Sequence, residues 1–160
     1  MPADTAWASD RIADPVLLTH WMVIGRLTLP GRPEHVSDAR HFIAGLMRDH
    51  HAILGGHRPR DTAAQADTAL LLTSELVTNA ITHSRSGLPE GTVELVLAWR
   101  SASILISVID DGSDSARPKT GNDPGGESGN GLLLVENLAD DWGYDTHAGR
   151  TAVWFRLAMG

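Results

Sequence analysis

The chain of 160 residues contains no cysteine and no long apolar run. The absence of cysteine excludes a disulfide framework, a thiolate zinc site and a cysteine nucleophile. No stretch of about 18 apolar residues occurs, and the first residues lack the basic and apolar regions of a secretory signal. We therefore expect no membrane span, no membrane partner and a location in the reducing cytoplasm.

Positive charge is also scarce, because 13 Lys and Arg stand against 20 Asp and Glu, for a formal net charge of -7. Binding along a nucleic-acid backbone needs clustered cations, so we expect no direct nucleic-acid partner. The charge does not exclude a single nucleotide held by Mg²⁺ and backbone amides. The sequence lacks both the P-loop pattern Gly-x-x-x-x-Gly-Lys-Ser/Thr and a His-Arg-Asp catalytic loop, which disfavours the folds that carry them.

The chain has enough apolar residues, 42%, for one compact domain. Residues 1–18 show no sustained period and are predicted to be a flexible N-terminal arm, and residues 19–160 a single domain. Periodicity and turn residues predict strands at 20–29, 92–99, 104–110, 142–147 and 151–158. The second and third of these strands, and the fourth and fifth, are predicted to form hairpins. Helices are predicted at 36–54, 61–84 and 129–141, and a mobile glycine-rich loop at 112–128.

The predicted helix at 61–84 carries Glu75, Asn79 and His83 at successive four-residue intervals, so these polar side chains form one stripe. A carboxylate and a carboxamide one turn apart are able to hold a hydrated Mg²⁺ near a phosphate. The alternative is an ordinary solvated helix face. The opposite face is predicted to pack on a core and consists of Ala66, Leu70, Thr73, Val77, Ala80 and Ile81.

The predicted strand at 104–110 ends in a carboxylate that is followed closely by a glycine. Asp110 is placed to accept a hydrogen bond from an exocyclic amine such as that of adenine, and Gly112 lets the chain turn beneath the ring. An ordinary Asp-Gly turn is the alternative.

A third motif, Gly129-x-Gly131, opens the helix at 129–141 directly after the glycine-rich loop. Amides at a helix N-terminus bind phosphate, and glycines permit close approach. A simple loop-to-helix junction is the alternative for this motif alone. The order of the three motifs carries more weight than any one of them.

In this order the motifs resemble those of the GHKL ATPase superfamily with its Bergerat fold, and within it the anti-sigma factor serine/threonine kinases of the RsbW and SpoIIAB kind. Glu75, Asn79 and His83 match the N box, and Asp110 and Gly112 match the G1 box. The resemblance implies that the cofactor-binding residues are Asn79, His83, Asp110, Gly112, Ser128, Gly129, Asn130, Gly131, Leu132 and Thr151. Of these, Gly129, Gly131 and Leu132 match the G2 box, and Thr151 is the family's threonine near adenine.

The same resemblance implies the fold, the cofactors and the partners. The fold would be an α/β (α+β) two-layer sandwich with a mixed, mostly antiparallel sheet, helices on one face and a glycine-rich ATP lid. The cofactors would be ATP and Mg²⁺, with Asn79 on the metal and Glu75 as the catalytic general base. The partners would be an anti-anti-sigma (STAS) protein, phosphorylated on serine, and a competing sigma factor. A homodimer is also compatible with the resemblance.

Two residues depart from the family pattern near the expected triphosphate. Asp114 replaces a second glycine of the G1 box, and Glu127 stands where these kinases place an arginine. Both changes add negative charge, and Arg117, Lys119 and Arg150 are the nearby cations in sequence. Three hypotheses follow: a serine kinase, a nucleotide-dependent binding module that sequesters a regulator without phosphorylating it, and a scaffold with vestigial motifs.

Overall fold

The fold is taken from a computed structural model that describes residues 21–53, 60–113 and 130–159. The predicted arm at 1–18 and the predicted lid from residue 114 onward lie outside these residues. The described elements are β1 (Met22–Pro30), α1 (Val36–Ile53), α2 (Arg60–His83), β2 (Thr92–Arg100), β3 (Ser103–Asp110), α3 (Asn130–Leu138), β4 (Asp141–His147) and β5 (Arg150–Ala158), with single 3-10 turns at Pro33–His35 and Arg85–Gly87. Within this part of the chain no helix combines the length and apolarity needed to cross a bilayer.

The five strands form one sheet in the order β1-β2-β3-β5-β4, and all four pairings are antiparallel. The two predicted hairpins are confirmed, with turns between Arg100 and Ser103 and between His147 and Arg150. The mixed character expected of the sheet is not found among the described strands. The reason lies in the connection after α3, because β4 takes the edge and β5 returns between β4 and β3, antiparallel to both.

The helices cover one face of this sheet, which confirms the expected two-layer α+β sandwich. On β2 the residues that face the helices alternate along the strand as Val93, Leu95 and Leu97, and each is fully buried. Helix α2 packs on them with a buried stripe that includes three of its six predicted core residues. The other three, Ala66, Leu70 and Ile81, are partly buried at the margin of the core. The stripe consists of Ala69, Leu72, Thr73, Leu76, Val77 and Ala80.

Helix α3 ends at Leu138, and the prediction that it continues to residue 141 is wrong. The backbone N–H of Asp140 donates to the carbonyl of Arg156 at 3.0 Å. The Asp140 carboxylate also accepts from the backbone N–H of Ala158 at 2.6 Å. These bonds hold the residue after the helix against β5, so the chain enters β4 directly.

Replacement of Leu72 by alanine should lower the free energy of unfolding by about 2–5 kcal/mol, because it leaves a cavity between α2 and the sheet. Its neighbour Leu71 is 42% exposed, so Leu71→Ala is the matched control and should cost about 1 kcal/mol or less. Urea denaturation at pH 7 measures both values. Equal losses would contradict the described rotation of α2.

Candidate functional site

The N-terminus of α3 lies directly on the polar stripe of α2. A Cβ atom built on Gly131 would lie 2.9 Å from Nδ2 of Asn79 and 3.2 Å from Oε2 of Glu75. Gly131 is buried, whereas Glu75 and Asn79 are half-buried and retain access to solvent. The second glycine of Gly129-x-Gly131 is therefore needed for close approach, as its sequence context indicates.

This contact brings three kinds of group into one place. The first turn of a helix presents backbone N–H groups that have no partner within the helix, and its dipole favours an anion there. Beside them stand the carboxamide of Asn79 and the carboxylate of Glu75. A phosphate bound by the amides would be repelled by Glu75 unless a cation lay between them, so the arrangement suits a phosphate together with a hydrated metal ion.

The protein side chains alone do not make a complete metal site. Across the described ranges, no group of three or more His, Asp or Glu side chains is placed to hold a metal ion. Mg²⁺ commonly takes one or two protein ligands and completes its shell with water and substrate phosphates. The half-buried side chains of Asn79 and Glu75 offer carboxamide and carboxylate oxygens, so the residues present fit such a partly hydrated ion.

His83, the third residue of the predicted stripe, is the last residue of α2 and is exposed. It lies roughly 6 Å along the helix axis from Asn79. The structure thus brings Glu75 and Asn79 to Gly131 and leaves the predicted role of His83 untested.

Asp110 is the last residue of β3 and pairs with Thr151 of β5, so the structure brings these two predicted site residues together. One oxygen of its carboxylate, Oδ1, accepts from the backbone N–H of Gly112 at 2.7 Å. Burial raises the pKa of Asp110, an effect that the backbone hydrogen bonds of Gly112 and Thr151 oppose; the neighbouring charge of Asp111 raises this pKa further and that of Arg150 lowers it. The carboxylate is therefore a partly desolvated acceptor held by the backbone.

Gly112 adopts a φ of 85°, in the left-handed region where a side chain is strained. A Cβ atom there would also collide with the carbonyl of Gly149 and would lie 3.2 Å from Nη1 of Arg85. This glycine is therefore the point where the end of β3, the β4–β5 turn and the end of α2 meet.

A short network joins the end of α2 to the end of β3. The backbone N–H of Arg85 donates to the carbonyl of Gly112 at 2.8 Å. The hydroxyl of Ser86, which is fully buried, accepts from the backbone N–H of Asp111 at 2.9 Å. The carboxylate of Asp111 in turn accepts from the backbone N–H of Thr92 at 2.8 Å. These hydrogen bonds fix the position of Asp110 relative to the polar stripe of α2.

Sequence reasoning missed Arg85, Ser86 and Asp111. One signal was available, because the hydroxyl of a serine at the end of a helix commonly bonds to the backbone two residues on and closes a turn. The structure has this turn, in which Oγ of Ser84 accepts from the backbone N–H of Ser86 at 3.0 Å. The bond between Ser86 and Asp111 spans 25 positions and has no local signature.

The remaining predicted site residues fall into three groups. Ser128 and Gly129 lie outside the described residues, as do Asp114, Arg117, Lys119 and Glu127. Asn130 begins α3, and the side chain of Leu132 is buried in the core, so a contact of Leu132 with a ligand would use its backbone. Arg150 lies 3.4 Å from the carboxylate of Glu94 and is therefore engaged in an ion pair.

A model of the histidine kinase-like ATPase domain matches residues 29–157. The matched range includes every predicted site residue from Glu75 to Thr151. A search of curated proteins found no match.

The contact at Gly131 is testable with a pair of glycine-to-alanine changes. Gly45 of α1 has room for a Cβ, which would meet only Arg48 Nη2 at 3.8 Å, so Gly45→Ala should raise the free energy of unfolding by about 0.5–1 kcal/mol. Gly131→Ala should instead lower it by about 1 kcal/mol, because the methyl group displaces Asn79. Urea denaturation measures both, and a gain of similar size at Gly131 would contradict the described contact.

The raised pKa of Asp110 predicts a pH dependence of stability. A carboxyl group whose pKa is higher in the folded state binds more protons there, so its contribution to stability falls as pH rises from about 4 through the folded pKa. We therefore compare the free energy of unfolding of the wild type with that of Asp110→Asn. The wild-type value minus the variant value should be lower at pH 7 than at pH 4. Urea midpoints of both proteins at both pH values measure this difference. A difference of opposite sign would contradict burial as the main influence on the pKa of Asp110.

Proposed function

The chain belongs to the histidine kinase-like ATPase domain family, and from this premise we propose that it binds Mg·ATP and acts as an anti-sigma-factor-type serine kinase. Membership places the chain in the GHKL superfamily and supports ATP binding. The observation that carries the proposal is the contact of Gly131 with Glu75 and Asn79, since it joins a phosphate-binding helix terminus to a carboxylate and a carboxamide.

In this proposal the nucleotide lies between the helix layer and the ends of β3 and β5. The amides at the start of α3 bind phosphate oxygens, and Asn79 contributes an oxygen to Mg²⁺. Asp110 accepts a hydrogen bond from the exocyclic amine of adenine, with Gly112 beneath the ring and Thr151 beside it. An adenine donor compensates the cost of burying the Asp110 carboxylate, since a charged acceptor that is partly desolvated gains most from a new donor.

Glu75 is proposed as the general base. Its carboxylate lies at the N-terminus of α3, where the terminal phosphate would be bound, and it takes the proton from the hydroxyl of an incoming serine. The serine oxygen forms a bond to the γ-phosphorus, the bond from that phosphorus to the β-γ bridging oxygen breaks, and ADP leaves. Mg²⁺ supplies charge neutralisation on the phosphates, and positioning provides most of the remaining catalysis.

The proposed protein partners rest on the resemblance to anti-sigma factor kinases. A STAS protein would supply the serine, and a sigma factor would compete for the same surface. Both interactions would take place in the cytoplasm. A homodimer is part of the same proposal.

A nucleotide-dependent binding module is the second candidate, and the sequence of the predicted lid favours it. Asp114 and Glu127 replace a glycine and an arginine of the kinase pattern. At the positions that the resemblance assigns to the triphosphate, two extra negative charges would oppose the charge that develops in phosphoryl transfer. Such a module would bind ATP and sequester its partner without phosphorylating it.

Two variants separate the kinase from the module. Glu75→Gln keeps the shape of the side chain and removes the base, so it should retain Mg·ATP binding while phosphoserine formation on a cognate STAS protein falls by about a hundredfold or more. Asn79→Ala should lose Mg·ATP binding, and Thr78→Ala, an exposed neighbour on α2, is its control. Calorimetry with Mg·ATP and transfer from labelled ATP are the measurements.

The outcomes distinguish all three hypotheses. Phosphoserine in the wild type that disappears in Glu75→Gln supports the kinase. ATP-sensitive partner binding without phosphoserine, unchanged in Glu75→Gln and lost in Asn79→Ala, identifies the module. Absence of Mg·ATP binding by the wild type would overturn both and leave only the scaffold.

A further inference from the structure

A continuous series of hydrogen bonds runs from the last turns of α2 to the end of β3 through two serines. The hydroxyl of Ser84 donates to the carbonyl of Ala80 at 2.6 Å and accepts from the backbone N–H of Ser86 at 3.0 Å. The hydroxyl of Ser86 in turn accepts from the backbone N–H of Asp111 at 2.9 Å. Two serine side chains therefore connect the helix to the strand.

Each end of this series lies next to a residue of the proposed nucleotide site. Ala80 directly follows Asn79, which is the proposed magnesium ligand. Asp111 directly follows Asp110, which is the proposed acceptor for the adenine amine. The series therefore helps to set the position of Asp110 relative to Asn79, and so the position of the base relative to the phosphates.

Ser86 is held in place from several sides. Its side chain is 0% exposed. Its carbonyl lies so close to the sheet that a Cβ atom on Gly31, after β1, or on Gly91, before β2, would collide with it. The two glycines are themselves joined, since the backbone N–H of Gly31 donates to the carbonyl of Gly91 at 2.9 Å. Ser86 is thus a fixed acceptor at the edge of the site.

Asp111 is bound through both its backbone and its side chain. Its N–H donates to Ser86, and its carboxylate accepts from the backbone N–H of Thr92, the first residue of β2, at 2.8 Å. These two bonds fix the peptide that follows Asp110. The direction of the Asp110 carboxylate therefore depends on two side chains that are not themselves proposed to contact the nucleotide.

We propose that Ser86 and Asp111 are positioning residues that select the nucleobase, because they aim the Asp110 carboxylate at the exocyclic amine of adenine. This inference rests on the proposed function, since it assigns the base specificity of the same site. A hydrogen bond weakens steeply when its distance or angle departs from the preferred geometry. Loss of the Ser86 hydroxyl leaves the N–H of Asp111 without its acceptor, so the peptide shifts and the bond to the amine weakens.

The contribution of the amine is measured by comparing ATP with purine riboside triphosphate, which lacks only that amine. Calorimetry on the full chain with Mg²⁺ in excess gives both dissociation constants. Their ratio should favour ATP about tenfold or more in the wild type, because the amine donates to a charged acceptor. Ser86→Ala should lower this ratio to about threefold or less.

Ser107→Ala is the matched control for Ser86→Ala. Ser107 is also 0% exposed, and its hydroxyl has no hydrogen-bond partner among the described residues. The same atom is removed at the same burial, so the ratio should stay at the wild-type value.

Two substitutions of Asp111 test the same positioning if Ser86→Ala does not fold. Asp111→Asn and Asp111→Ala both remove the negative charge, but only asparagine keeps a side-chain oxygen that is able to accept from the N–H of Thr92. The ratio should therefore stay near the wild-type value in Asp111→Asn and fall in Asp111→Ala.

The outcomes separate this inference from the proposed function. An unchanged ratio in Ser86→Ala would overturn the inference, because a purely structural role weakens the binding of both nucleotides equally. Equal ratios in Asp111→Asn and Asp111→Ala would also overturn it, as would a wild-type ratio near one. A wild type that binds no Mg·ATP would instead overturn the proposed function, and this inference with it.

Discussion

The packing of α2 on the sheet is the constraint on which the site depends. Leu72 and Leu76 are almost fully buried against the strands, which fixes the rotation of the helix about its axis. At about 100° per residue, Glu75 then stands roughly 60° away from Leu72, at the margin of the core. That margin is where α3 crosses, so the same helix supplies part of the core and one wall of the site.

The second wall is built by backbone geometry at the end of β3. Gly112 turns the chain with a left-handed φ, and its carbonyl receives the N–H of Arg85 from the end of α2. The hydroxyl of Ser86 accepts from the backbone N–H of Asp111, and the carboxylate of Asp111 accepts from the backbone N–H of Thr92, so these bonds hold the same region together. Because these bonds use backbone groups on rigid elements, Asp110 keeps its orientation although burial makes its ionised form less stable. The same carboxylate closes a turn with the backbone N–H of Gly112, so the turn also fixes the position of Asp110 at the end of the strand.

Elements defined by local patterns were predictable from the sequence, and those defined by distant contacts were not. Hairpins and helix faces follow from periods of two and 3.6 residues, so both hairpins and Val77 on the buried face of α2 were predicted correctly. The end of α3 depends on Asp140 binding β5, and the Ser86–Asp111 bond joins residues 25 positions apart. No local period contains such information. The family motifs singled out Gly131, but only the structure shows how closely it approaches Asn79.

The sequence of β3 links the two faces of the sheet to the position of the site. A strand with one solvated face alternates between apolar and polar residues, whereas Ser103–Asp110 reads SILISVID and is apolar on both sides. β3 is a central strand with β2 and β5 on either side, and its residues from Ile104 to Ile109 are all buried. Asp110 is its first charged residue, at the point where the buried run of the strand ends. The carboxylate therefore stands at the boundary between the core and solvent because the strand that carries it is buried on both sides up to that residue.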